Sequence, residues 1–239
     1  MKRYLLIVGL VLYLTTHVRF ALGQGLSVKS AELSLSVGGT SFSSKTFTIG
    51  APQSATPING KMELNSGRMY EARINFYTTN RIGAEFLYGY QYSGVQFSRD
   101  SPTTAAFNVP LQVHTLTLNL LYYPLGETTS LWRPFVTIGG GAVIYRPSTG
   151  GQTSAKDPLQ GNFDTFFESS RGSGTVGAGI KRALTKSLGF RADAGAAFTR
   201  VPTFGLPESS TQPNATVLPV GGLVHSFRGS AGVILYLGK

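Results

Sequence analysis

The chain has 239 residues, no cysteine and a formal net charge of +10, although only 13% of its residues are charged. The absence of cysteine excludes disulfides and thiolate metal sites, and an aromatic content of 11% argues against disorder. Because the basic residues are scattered, we expect no nucleic-acid partner and a surface that faces anionic lipid or lipopolysaccharide.

The N-terminal segment predicts a secretory signal peptide. Lys2 and Arg3 precede an apolar run over residues 4–14, and the small-residue sequence ALG follows. The apolar run is shorter than the ~20 residues that a membrane-spanning helix needs. We therefore predict that residues 1–23 are removed on export and that residues 24–239 form one domain.

Eight segments of the remaining chain alternate apolar and polar residues with period 2, which is typical of β-strands with one apolar face. In chain order they are Ala31–Phe42, Arg68–Tyr77, Ile82–Phe97, Val109–Tyr123, Arg133–Tyr145, Gly174–Leu184, Leu188–Val201 and Val224–Leu237. Helical periodicity is scarce. The fold class predicted is all-β.

The connections between these segments are alternately short and long. The short ones cover residues 78–81, 124–132 and 185–187. The long ones cover residues 43–67, 98–108, 146–173 and 202–223, and are rich in Ser, Thr, Pro, Gly and Asn. An up-and-down barrel places all its short turns at one end, as membrane barrels do. We predict a single eight-stranded antiparallel up-and-down transmembrane β-barrel.

The polar face of the predicted strands collects four acidic and four basic residues. They are Glu32, Glu71, Arg73, Glu85, Lys181, Arg191, Asp193 and Arg228. The interior of an eight-stranded barrel is just wide enough for side chains, and buried charges need partners. With the apolar face toward lipid, we predict that these eight form a structural charge network in the lumen. A soluble sandwich with the same charges exposed to water is the alternative.

Aromatic residues fall in two groups along the strands. One group, beside the short turns, comprises Tyr77, Tyr122, Tyr123, Trp132 and Phe190. The other, toward the long loops, comprises Tyr70, Tyr88, Tyr90, Tyr92 and Phe198. Tyrosine and tryptophan suit membrane interfaces because each has an apolar body and a polar tip. We expect the two groups to form two belts on the outside of the barrel.

The chain resembles the outer-membrane β-barrel family that includes the OmpA transmembrane domain and OmpX-like proteins. The resemblance rests on the signal peptide, the eight strands, RPFVTIGGGAVIY at residues 133–145 and GTVGAGIKRALTKSLGFRADAGAAF at residues 174–198. It implies a cell outer membrane location, periplasmic short turns, extracellular long loops and insertion by the barrel-assembly machinery. The ending VILYLGK departs from the terminal aromatic residue that members often carry.

Motifs for catalysis, cofactors or metals are missing from the sequence. It contains no HExxH, GxSxG or P-loop pattern, and histidine after the signal occurs only at positions 114 and 225. Some small outer-membrane barrels modify lipid A with a histidine and a hydroxyl group on the lipid face. His114 is in the outward phase, but the next residue in that phase is Leu116. We expect no enzyme, no cofactor and no metal site.

The predicted function depends on the long loops rather than on a catalytic motif. We expect a structural or surface-interaction role, similar to adhesion, in which the long extracellular loops contact a surface ligand. A small-solute or ion pore is the alternative. Lipid A modification is a further alternative.

Overall fold

The computed structural model describes residues 30–43, 47–49, 60–99, 105–126, 131–150, 152, 165–211, 217–219 and 221–237. The predicted signal peptide lies outside the described residues. The strands are β1 (Ser30–Phe42), β2 (Phe47–Ile49), β3 (Gly60–Leu64), β4 (Gly67–Tyr77), β5 (Ile82–Arg99), β6 (Ala105–Tyr122), β7 (Trp132–Pro147), β8 (Ser169–Ala183), β9 (Leu188–Arg200) and β10 (Leu223–Leu237). Among the described residues, no helix is long and apolar enough to cross a membrane.

Eight of the strands close into an antiparallel barrel. Each pairs with the next in the order β1, β4, β5, β6, β7, β8, β9, β10, and β10 pairs back onto β1. The predicted fold is therefore confirmed, with the boundaries extended at several strands. The largest extension is at β8, which begins at Ser169 rather than at Gly174.

The outside of the barrel is apolar and its inside is polar over most of its height. Leu118 and Ile138 are 64% and 61% exposed, whereas Thr117 beside Leu118 is 1% exposed. Because strand side chains alternate between faces, neighbouring residues in one strand meet opposite environments. This inside-out distribution is that of a barrel surrounded by lipid rather than by water.

Strand β3, unlike the eight barrel strands, is absent from the sequence prediction, which places residues 43–67 in a loop. It continues β4 along the same neighbour, because Leu64 pairs with Val95 and Arg68 with Tyr92. Residues 65–67 therefore stand opposite only residues 93–94, which is a β-bulge. The extra residue reverses the alternation, since even-numbered residues such as Met62 point inward in β3, whereas Tyr70 points outward in β4.

An apolar core fills the barrel at the long-loop end. Inward side chains such as Leu111 of β6 and Val143 of β7 pack there against residues from two loops. The buried loop residues are Phe166 from the β7–β8 connection and Phe204, Leu206 and Leu218 from the β9–β10 connection. We call this cluster the mouth core. It places an apolar layer above the polar lumen.

The predicted aromatic belt at the short-turn end is wrong for two of its members. Tyr77 and Tyr123 are 3% and 0% exposed and pack inside the barrel with Phe135. Tyr77 is in the inward phase of β4 together with Glu71 and Arg73 and therefore cannot reach lipid. In contrast, Tyr122 and Trp132 face outward and are 43% and 41% exposed.

Candidate functional site

The structure places all eight side chains predicted for the lumen inside the barrel. Six of these residues are at most 4% exposed: Glu32, Glu71, Arg73, Glu85, Lys181 and Arg191. The side chains of Asp193 and Arg228 are 6% and 10% exposed. They form two clusters, one at mid-height and one near the short turns.

The cluster at mid-height, which we call the central ion cluster, consists of Glu71, Arg73, Glu85, Arg191, Asp193 and Arg228. Arg73 pairs with Glu71, its neighbour in the inward phase of β4, and its Nη2 lies 3.1 Å from Asp193 Oδ1 on β9. Its Nη1 donates to Ser36 Oγ at 2.8 Å. Arg228 Nη1 lies 3.4 Å from Glu71 Oε1. The three acids balance the three arginines.

Arg191 is the second centre of the same cluster. Its Nη1 lies 2.5 Å from Glu85 Oε2, and its Nε lies 2.7 Å from Asp193 Oδ2. Asn119 Nδ2 donates to Glu85 Oε1 at 3.0 Å, and the Arg191 guanidinium lies 4.6 Å from the centre of the Phe135 ring. Buried charges are tolerated when they are paired and their remaining donors and acceptors are satisfied.

Glu32 and Lys181 form the lower pair, nearer the short turns. Lys181 Nζ lies 2.6 Å from Glu32 Oε2 and also donates to the Tyr77 hydroxyl at 2.7 Å. Tyr77 is 2.9 Å from the Tyr123 hydroxyl, and the Arg133 guanidinium stacks 3.8 Å from the Tyr123 ring centre. Tyr77 and Tyr123, which the sequence predicted to face lipid, therefore close this end of the lumen.

Glycine in the inward phase makes room for these long side chains. A Cβ at Gly179 would lie 2.6 Å from both Phe135 Cζ and Asp193 Cβ. Since real Cβ atoms do not approach other carbons so closely, a larger residue at this position would displace the cluster. The fold positions the network through the alternation of β4, β5 and β9 and through such gaps.

Two loops cover the mouth core and form what we call the cap, residues 165–168 and 201–211. The Phe166 and Phe204 rings stack with centres 5.4 Å apart, and Phe167 N donates to Phe204 O at 2.8 Å. Phe204 has a φ of 51°, an uncommon backbone conformation for a bulky residue. Arg171 Nη2 donates to Thr203 Oγ1 at 2.8 Å. The cap is absent from the sequence prediction, although the apolar residues inside its polar loops, such as Phe166 and Phe204, are a usable signal.

His114 lies on the lipid face, as its phase in β6 predicts. Its Nδ1 is 2.9 Å from the Tyr88 hydroxyl, and the Tyr90 ring lies 5.2 Å away. Thr117, a hydroxyl residue of the same strand, is turned inward. In the described part of the chain, no group of three or more His, Cys, Asp or Glu side chains could hold a metal ion.

These features define the class of protein. An antiparallel eight-stranded barrel with an apolar exterior and paired charges inside is a transmembrane β-barrel of the outer-membrane type.

Comparison with solved structures gives the same class. Outer membrane protein OprG from Pseudomonas aeruginosa is similar to this chain with a TM-score of 0.56 and 14% sequence identity, over 90% of this chain and 99% of that chain. Neisserial surface protein A has a TM-score of 0.47 and 13% sequence identity, over 86% of this chain and 96% of that chain. Ail of Yersinia pestis, in complex with the heparin analogue sucrose octasulfate, has a TM-score of 0.38 and 12% sequence identity, over 85% of this chain and 98% of that chain. The likeness to OprG shows a shared fold.

Comparison of sequences adds nothing to this result. No protein-family model matches the chain, and no curated protein matches it. The specific resemblance to the OmpA transmembrane domain stays a prediction.

Proposed function

We propose that this chain is a non-conducting outer-membrane anchor that presents its capped loop end to a partner outside the cell. The observation that carries the proposal is that side chains of the described residues fill the barrel interior at successive levels. The lower pair, the central ion cluster and the mouth core follow one another from the short turns to the loops. A filled barrel leaves its outer end as the surface available for function.

The filled lumen argues against the pore alternative. Arg73, Glu85 and Arg191 are each at most 1% exposed at mid-height, where a conducting pathway would need water. Planar-bilayer recording of the purified full chain tests this point. We expect no steady openings, and reproducible openings that scale with salt concentration would overturn the non-conducting proposal.

The cap supplies a suitable contact surface. Phe167 is 59% exposed, while its neighbour Phe166 is fully buried beneath it. The backbone N–H of Phe167 donates to the carbonyl of Phe204, so the Phe167 ring is presented by a folded turn. Aromatic side chains held in one orientation contribute much of the binding energy at protein interfaces. The cap is therefore a surface at which a partner gains affinity with little loss of entropy.

An adherence assay on whole cells tests the contact role. Cells that display the wild-type chain, the Phe167→Ser variant or no chain are compared for attachment to an epithelial monolayer. We expect Phe167→Ser to reduce attachment toward the level of cells without the chain. Leu125→Ser is the matched control, because Leu125 is 54% exposed at the opposite, short-turn end. Equal attachment of wild-type and chain-free cells would contradict the proposal.

The proposed role is not enzymatic. His114 Nδ1 is within hydrogen-bond distance of the Tyr88 hydroxyl, but its Nε2 has no hydrogen-bond partner among the described residues. Acyl transfer would need an orienting group there in addition to a base and an activated hydroxyl. Mass spectrometry of lipid A from cells with and without the chain tests this point. A lipid A species that appears only with the chain would favour the enzyme alternative.

A further inference from the structure

A cleft of about 950 Å³ opens in the barrel wall at the long-loop end of β1 and β4. Its lining includes the outward residues Arg68, Tyr92 and Phe227 and the inward residues Thr40 and Arg228. Because both faces of the wall contribute to one cavity, the cleft connects the lipid-facing surface with the interior.

The bulge at residues 65–67 gives a physical cause for the opening. The pairing between β1 and β4 ends at Thr40 and Gly67. Beyond that point β1 stays with β10 as far as Phe42, whereas β3 stays with β5. Bulges bend a strand and increase its twist, which separates β3 from β1. Among the described residues, no backbone pairing joins these two strands.

The inner wall of the cleft carries an arginine, Arg228, whose hydrogen-bond donors are not all satisfied by the described residues. The Arg228 side chain is only 10% exposed, and its ion pair with Glu71 is long at 3.4 Å. Its Nε finds no hydrogen-bond partner in the described part of the protein. Arg68 stands at the outer edge of the same cleft. Two guanidinium groups on one cavity favour an anion, above all a phosphate, which binds to such groups through strong charge-assisted hydrogen bonds.

An apolar groove of about 410 Å³ runs directly below the cleft on the lipid face. Its lining includes Val37, Tyr70 and Ala231. Each of these lies two residues from a cleft residue on the same strand, toward the short turns. The groove is recessed because the small residues Ala72, Ala231 and Gly232 on its floor leave space between Tyr70, Tyr88 and Val233.

The cleft also lies at the right depth for a lipid headgroup. Arg68 is nine residues before Tyr77, which ends β4 at the short turn. At ~3.3 Å per residue and a tilt of ~40°, that separation is about 23 Å along the barrel axis. The apolar band of outer-membrane barrels is ~25 Å tall, so Arg68 stands near its outer edge.

We infer that the cleft and the groove together bind one outer-leaflet lipid that carries an anionic phosphate head. The head contacts Arg68 and Arg228, and an acyl chain lies in the groove over Ala231. Charge complementarity selects the head, and the surrounding bilayer supplies the chain. The inference is independent of any partner at the cap.

Native mass spectrometry of the full chain in detergent micelles tests the inference. Dioleoylphosphatidylglycerol is the anionic probe, and dioleoylglycerol, which has the same acyl chains without a phosphate, is the uncharged one. We expect one retained phosphatidylglycerol per chain and binding of dioleoylglycerol at least about tenfold weaker, because a lost charge-assisted contact costs about one decade or more of affinity. Equal retention of the two lipids would overturn the inference.

Variants separate the head site from the chain site. Arg68→Gln, which changes an exposed residue and should not disturb folding, is expected to weaken phosphatidylglycerol binding by about tenfold. Arg228→Gln is expected to do the same, with folding checked by heat-modifiable gel migration. Arg200→Gln is the matched control, since Arg200 is an exposed arginine at the end of β9. Equal losses at Arg68 and Arg200 would show only general attraction to charge and would overturn the site.

The apolar half has its own test. Ala231→Phe fills the groove and should lower retention of the long-chain lipid, whereas Ala178→Phe on the outer face of β8 should leave it unchanged. Inorganic phosphate at millimolar concentration distinguishes the source of the anion. If free phosphate displaces the lipid completely and Ala231→Phe has no effect, the cleft binds a soluble phosphate and the lipid assignment is wrong.

Discussion

Arg191 and Glu85 join opposite walls of the barrel through a contact of 2.5 Å between Nη1 and Oε2. Their strands, β9 and β5, are four places apart in the ring of eight. The pair therefore spans the full width of the lumen. Together with Asp193, which also accepts from Arg191, it ties distant parts of the chain at one buried point.

The first prediction concerns the energy of this pair. Replacing Arg191 by Met leaves the buried charge of Glu85 with Asn119 and, at 4.0 Å, Arg73 as its remaining partners among the described residues. We expect a loss of about 3–5 kcal/mol in the free energy of unfolding, the usual result when one partner of a buried pair is removed. Urea unfolding in lipid vesicles, followed by gel migration, measures it.

A double variant provides the control for that measurement. Combining Arg191→Met with Glu85→Gln removes both charges, so part of the lost stability should return. Additive losses from the two single variants would mean that the two side chains do not interact energetically in the folded barrel.

The second prediction concerns the space that glycine provides. Gly179→Ala should destabilise the barrel by about 1–3 kcal/mol, because the added methyl group meets Phe135 and Asp193 and the strand must shift. Gly89→Ala is the control, since its Cβ would lie 3.5 Å from Thr115, an ordinary contact. Similar unfolding midpoints for both variants would show that inward glycines serve another purpose.

The strands and their faces could be predicted because alternation is a local property of the chain. Leu118 and Thr117 differ in hydropathy, and the structure places them on opposite faces. The placement of the charged residues inside the barrel follows from the same period. The aromatic character of Tyr77 suggests a membrane interface, but its phase in β4, which it shares with Arg73, places it inside the barrel.

Features that depend on contacts between distant residues could not be predicted from the local pattern of the sequence. The bulge at residues 65–67 reads as a turn in the sequence, because NSG contains three turn-forming residues. These residues form a bulge because the strands on both sides of them pair with β5, a contact that the local sequence does not show. The cap was missed for a similar reason, since Phe204 is buried only when the β7–β8 connection brings Phe166 against it.

The third prediction tests which face meets lipid. Trp132 is the single tryptophan and points outward beside the short turns. Brominated lipids should therefore quench its fluorescence strongly in vesicles. A variant with Trp132→Phe and Phe135→Trp moves the indole to a position that is 1% exposed inside the barrel, where Arg191 can stack on it. Its fluorescence should resist the same lipids, and equal quenching of both proteins would contradict the assignment of faces.

The fourth prediction concerns the cap as a unit separate from the barrel. Phe204 is fully buried, stacks on Phe166 and holds an uncommon positive φ, so its ring is needed to keep that turn in place. Phe204→Ala should destabilise the cap by about 3–5 kcal/mol, the usual cost of truncating a buried phenylalanine. The charge network lies below and keeps its contacts. Surface protease should then cut the β9–β10 connection faster on intact cells, while the heat-modifiable migration of the barrel stays the same.

Phe167→Ala is the matched variant for this experiment, because Phe167 is adjacent to the stack but 59% exposed. It should leave the rate of proteolysis near that of the wild type. If Phe204→Ala instead abolishes the folded migration of the whole barrel, cap and barrel unfold as one cooperative unit. The loop end could then not vary independently of the wall, and the surface role would have to be assigned to the entire barrel rather than to its cap.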